Sequence, residues 1–160
     1  MGEILRIVVV LVSSTIATMG IIMMYGIDKK VLAWALVSAL LSCAGYELSM
    51  LCGLGLFLAN AIGSALAAAY SDIMAHFLKV PATVMIITGI VPLVPGGRLY
   101  YTMLGAVRSD MQMFSENGKS VLLIAAGIAI GLIAVTAVSR PLNARINQQK
   151  NKKLMNGQDK

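Results

Sequence analysis

From Ser120 to Ser139 the chain carries no charged residue and is mostly aliphatic. Stretches of this kind recur. Val31–Tyr46, Leu48–Ser71 and Pro81–Gly97 are also uncharged, and Ile4–Tyr25 is interrupted once, by Arg6. A membrane span needs about 20 apolar residues, and within lipid every backbone N–H and C=O must find its partner inside the protein. Blocks of this length, without amphipathic periods, therefore predict spanning helices. Composition agrees: 58% of the residues are hydrophobic and 12% charged, against roughly 25% charged in soluble domains. The predicted fold is all-α, a polytopic membrane helix bundle of about five transmembrane helices. They fall near residues 4–25, 30–50, 54–78, 81–108 and 118–141 of a transmembrane domain over 1–142. A basic tail, 143–160, follows.

The fourth of these helices cannot be continuous. ITGIVPLVPGGRLYYTMLGAV, residues 87–107, places Pro92 and Pro95 inside an apolar run, followed by Gly96, Gly97, Arg98, Tyr100 and Tyr101. Each proline removes a donor and crowds the carbonyl four residues back. Broken backbone at membrane depth survives only when buried in protein or lining a wet cavity. A half-helix start offers free amides and a positive dipole end to an anionic group. Counted from Pro81, the break lies about 15–24 Å along the helix, enough to reach the bilayer middle or beyond. Arg98, the tyrosine hydroxyls and free amides at one break suit a small carboxylate. The plainer alternative is an outer turn with Arg98 snorkelling to the surface.

Lysine and arginine set the expected orientation. Arg140, Arg145, Lys150, Lys152, Lys153 and Lys160 crowd the end of the chain, which argues for a cytoplasmic C-terminus. Counting back through five spans places Asp28-Lys29-Lys30 and Lys79 inside and the N-terminus outside. The formal charge of +6 then reads as topology, with no nucleic-acid partner. Glu3 and a single Arg6 make a poor signal-peptide n-region, so the first span is expected to stay uncleaved. Cys43 and Cys52 sit in apolar surroundings and read as packing thiols rather than a disulfide.

Small residues recur every four positions in the third span, at Ala59, Gly63, Ala67 and Ser71, and again at Gly127 and Gly131 in the last. Such stripes let helix backbones approach closely, within one chain or between protomers. Asn60, one position off the stripe, is a candidate for a polar path or for an interhelical hydrogen bond. Asp72 and His76, four apart on one face, read as an interfacial ion pair or as a proton-coupling pair. Glu47 is the remaining candidate for coupling if it lies deep. No metal site is expected, because no third and fourth ligand accompany Asp72 and His76. No nucleophile elbow, phosphate loop or dinucleotide fingerprint appears, so neither an enzyme nor a cofactor is expected.

KVPATVMIITGIVPLVPGGRLYYTMLGAV resembles the C-terminal membrane domain of the threonine/serine exporter family. Pro92, Pro95, Gly96 and Tyr100 match that family's P-x-x-P-G-x-x-x-Y element, and ANAIGSALAAA resembles the small-residue span before it. The likeness runs from about residue 10 to about residue 140 and is most specific over residues 80–107. Arg98 departs from the small or polar residue expected at its position. The resemblance implies the small subunit of a two-component secondary exporter of small amino acids or carboxylates in a bacterial plasma membrane. Its partner would be a larger membrane subunit carrying the complementary domain, in a homo- and hetero-oligomer. It also implies a substrate site at Pro92, Pro95, Gly96, Gly97, Arg98, Tyr100 and Asn60. The reading from another class is a membrane scaffold without its own substrate path.

Overall fold

The computed structural model describes the backbone of residues 2–24 and 29–158, and the side chains of residues 5, 8–24 and 31–139. The side chains of Arg6, Lys29, Lys30 and the basic tail from Arg140 onward, on which the expected orientation rests, lie outside these described residues, as does Asp28 altogether. The described chain is all-helical: α1 (Gly2–Met24), α2 (Lys29–Leu51), α3 (Leu56–Leu78), α4 (Ala82–Ile90), a 3-10 turn (Val91–Leu93), α5 (Gly96–Val107) and α6 (Met111–Gln158). Among the described residues, Val31–Leu51, Leu56–Leu78 and Met111–Ser139 are each long and apolar enough to cross a membrane. α4 with its turn and α5 make a fourth span if the bent pair is taken as one, while Val8–Met24 is apolar but shorter.

Helix ends follow local chemistry. α2 stops where Gly53 takes φ 77°, with Gly53 N donating to Met50 O and Leu54 N to Ser49 O, the pattern of a glycine-terminated Schellman cap. α5 closes the same way around Ser109, and Asp110 then caps α6 through its side chain, which accepts from Met113 N at 3.0 Å. That turn is tight. A side chain at Gly105 would meet the backbone of Phe114 at 2.7 Å, which explains glycine there.

Small residues decide how the helices sit. α3 is the centre, with two seams. Ala59, Gly63, Ala67 and Ser71 are all buried and face α2, where Ser38 hydrogen-bonds Ser71 at 3.0 Å and Ala67 O at 3.4 Å. The second seam faces α6. A Cβ added at Gly127 would collide with Phe57 O, and one at Gly131 with Ala61 O and Ser64 Oγ. The four-residue stripes are therefore packing seams within one chain, where close approach supplies the van der Waals contact that hydrophobicity cannot supply in lipid. The contacts 57 with 127 and 61 with 131 increase together, so α3 and α6 run parallel. α6 thus begins sixteen residues before the level of Phe57, roughly 24 Å beyond it. Along that projection α5 packs antiparallel, with Arg98 beside Ser120 and Gly105 beside Phe114. The projecting hairpin holds Arg108, Asp110, Glu116 and Lys119, whereas residues 121–138 of α6 are uncharged.

Candidate functional site

The break between α4 and α5 is built by its prolines. Pro92 cannot donate back into α4, and the chain tightens into the 3-10 turn, closed by Val94 N to Val91 O. Pro95 then forces the residue before it out of helical angles, and Val94 is extended at φ −63°, ψ 124°. Pro95 itself, at φ −80°, ψ 54°, is the centre of an inverse γ-turn, with Gly96 N donating to Val94 O at 2.8 Å. Leu99 N then bonds Pro95 O and α5 begins. The two helices meet at 60°.

The break does not hang in lipid. Leu93 is buried against Gly63 of α3, with both δ-methyls 3.3 Å from the point where a Cβ would stand. Gly63 is seven residues from the start of α3, roughly 10 Å along its axis. The break therefore lies in the half of the bundle nearer the hairpin, past the middle of α3 counted from the Pro81 end, as its distance from Pro81 allowed.

There it opens a cavity of about 250 Å³ lined by Tyr46, Asn60, Ile124 and the run Pro92–Arg98. Pro92, Pro95, Gly96, Gly97, Arg98 and Asn60, predicted from sequence as one site, are thus brought together from α3, the break and α5. The volume is below the ~300–1,000 Å³ of sites for drug-sized ligands, a fit for a small solute. Asn60 is buried and its amide donates to Leu56 O at 2.7 Å within its own helix. Among the described residues, this bond stays within α3. Arg98 is exposed, and its guanidinium donates to Ser120 Oγ at 3.0 Å.

Tyr100 departs from the expected set. It is 62% exposed, stacks edge-to-face on Tyr101 at 5.4 Å, and does not line the cavity. Tyr46 and Ile124 were missed. Tyr46 had one signal, a polar-tipped ring one position from Glu47 in an apolar span; Ile124 had none. Gly96 and Gly97 have no positive φ, and a Cβ on either meets nothing within 4 Å. Both are ordinary first-turn helical residues.

The coupling candidates separate. Glu47 is 8% exposed in α2, next to cavity-lining Tyr46. Asp72 lies at the opposite end of α3, where its carboxylate accepts a short hydrogen bond from Ser139 of α6. His76 is exposed, and among the described residues no ion pair joins it to Asp72, so the interfacial ion pair is not formed. Both line an apolar groove between α3 and α6 that also holds Phe77 and Val138. Cys43 and Cys52 are free thiols, one buried and one exposed.

The family model described as Threonine/Serine exporter, ThrE, matches residues 10–138. No curated protein and no solved structure matches the chain.

Proposed function

Because the chain belongs to the threonine/serine exporter, ThrE, family, whose members are membrane transporters, we propose that the cavity at the α4–α5 break is the substrate site of an exporter subunit. It would hold a small amino acid or carboxylate by its anionic group. The carboxylate would lie at the start of α5, where the amides of Gly97 and Arg98 carry the positive end of the helix dipole. Arg98 would supply charge, while Asn60 and Tyr46 would face the rest of the solute. The observation that carries this reading is the meeting of Asn60 with Pro92–Arg98 around one small cavity.

The hairpin end would face outside a bacterial plasma membrane and the basic tail, 143–160, the cytoplasm. A larger membrane subunit with the complementary exporter domain would complete the transporter. Of the three titratable candidates, Glu47 is assigned the coupling role, since it is both buried and adjacent to the cavity wall. An intramembrane carboxylate is costly unless it serves function. The Arg98–Ser120 hydrogen bond favours a second reading, in which the break is a structural turn of a non-transporting scaffold.

The deciding experiment measures threonine and serine export against internal concentration in cells carrying this chain and its partner. Asn60→Leu, which keeps the branched heavy-atom shape and deletes the amide, should abolish saturable export at unchanged membrane level. Wild-type export by that variant would remove the cavity from the path and leave the scaffold.

A further inference from the structure

Ser42 is fully buried in α2, and its hydroxyl has no hydrogen-bond partner. The other buried serines and threonines among the described residues are all satisfied. Ser49 and Ser64 bond carbonyls of their own helices, Thr18 and Thr88 do likewise, and Ser38 bonds Ser71 across the α2–α3 seam. A buried hydroxyl without a partner costs about 1–3 kcal/mol and calls for a reason.

Its position supplies one. Ser42 lies one helical turn from Tyr46, which lines the outer cavity. Across the seam is Gly63, whose missing side chain lets the Ser42 carbonyl oxygen come within 2.8 Å of the Cβ position. Leu93 packs on that same point and also lines the cavity. The Leu93 side chain thus stands between the cavity and the point where the Ser42 backbone carbonyl meets Gly63, next to the residue whose hydroxyl is unpaired. Beyond Ser42, one turn further from the hairpin, lies the Ser38–Ser71 pair. Leu93 ends a 3-10 turn that contains Pro92 and precedes Pro95, and a 3-10 stretch interrupting a helix often marks a hinge. It can turn without breaking the hydrogen-bond ladder of α4.

We propose that Leu93 gates a second binding station behind the outer cavity, centred on the Ser42 hydroxyl, for the polar end of a small amino acid. The proposal rests on the reading of the outer cavity as the substrate site. A solute carrying an ammonium or hydroxyl group satisfies Ser42, which both donates and accepts. Passage then follows the α2–α3 hydroxyl seam rather than the apolar α3–α6 groove. A site with an unpaired buried polar group discriminates strongly against analogues lacking the matching group, so Ser42 is also a specificity residue.

The test uses the full chain in membranes, with Cys43 and Cys52 replaced by alanine and serine, and a small water-soluble methanethiosulfonate added from the hairpin side. Gly97→Cys, on the cavity wall, should react readily. Ser42→Cys should react slowly, then at least about tenfold faster when Leu93→Ala is added, through local opening without global unfolding. Leu93→Val should give a smaller acceleration, and Ala35→Cys, buried further along α2, should stay inert in both. If Ser42→Cys stays inert in both Leu93 variants while Gly97→Cys reacts, the gate is overturned and the outer cavity stands. Equal acceleration at Ala35→Cys would mean general loosening and would also overturn the gate. An inert Gly97→Cys would overturn the outer cavity itself.

Discussion

The Arg98 guanidinium donates to Ser120 Oγ at 3.0 Å, tying the first turn of α5 to α6. The one cation of the break is thus anchored at the mouth of the cavity by a neutral hydroxyl, and among the described residues no carboxylate pairs with it. Ser120 in turn donates to Glu116 O, the ordinary back-bond of a helical serine. A charge held in place but not neutralised is what an anionic solute would meet.

Arg98→Gln keeps hydrogen-bonding capacity and deletes that charge. Export of serine and threonine should show a raised KM with less change in maximal rate, and Arg98→Lys should fall between. Ser120→Ala, which frees the guanidinium without discharging it, should have the smaller effect. Equal KM values for Arg98→Gln and wild type would assign Arg98 to the turn alone.

The glycines should divide by environment. Gly127→Leu and Gly131→Leu drive side chains into the carbonyls of Phe57 and Ala61, overpacking that costs about 1–3 kcal/mol or more. Both should lower yield and thermal stability of the detergent-solubilised protein. Gly97→Ala occupies open space in a helix, where alanine is favoured over glycine by about 0.5–1 kcal/mol. It should leave stability unchanged or raised. Thermal aggregation followed by size-exclusion chromatography reads all three.

Gly96→Val separates folding from occupancy. With no strained backbone angle to lose, the variant should reach the membrane at near-normal levels. Its branched side chain would still stand in the cavity wall and reduce export. Poor membrane levels together with lost export would return the position to a structural role.

Glu47→Gln should uncouple. Net export driven by a proton gradient should fall, while exchange of labelled for unlabelled threonine across proteoliposomes containing both subunits should persist. Asp72→Asn, which keeps an acceptor for Ser139, should retain both activities. The opposite pattern would move coupling to the Asp72 end of α3.

Orientation is read with single cysteines in a background lacking Cys43 and Cys52. Glu116→Cys, exposed on the hairpin, should react with an impermeant reagent in intact cells, and Lys150→Cys should not. Labelling of position 150 would invert the assignment.

The extents of the second and third helices were legible in the chain because they are set locally, whereas the last, expected over 118–141, runs Met111–Gln158. An uncharged run of sufficient length is a helix in lipid wherever it packs, and the predicted 30–50 and 54–78 are Lys29–Leu51 and Leu56–Leu78 in the structure. The break was equally legible, since the missing N–H groups of Pro92 and Pro95 act on their own neighbours. Which helices would touch was not. A stripe of small residues admits any partner backbone, and in lipid no hydrophobic gradient chooses among them. Only the tertiary structure decided that α3 offers one seam to α2 and another to α6. That arrangement carries Asn60 and Tyr46 to the break, turns Tyr100 away, stops the break roughly 10 Å from the start of α3, and leaves the Ser42 hydroxyl buried without a partner.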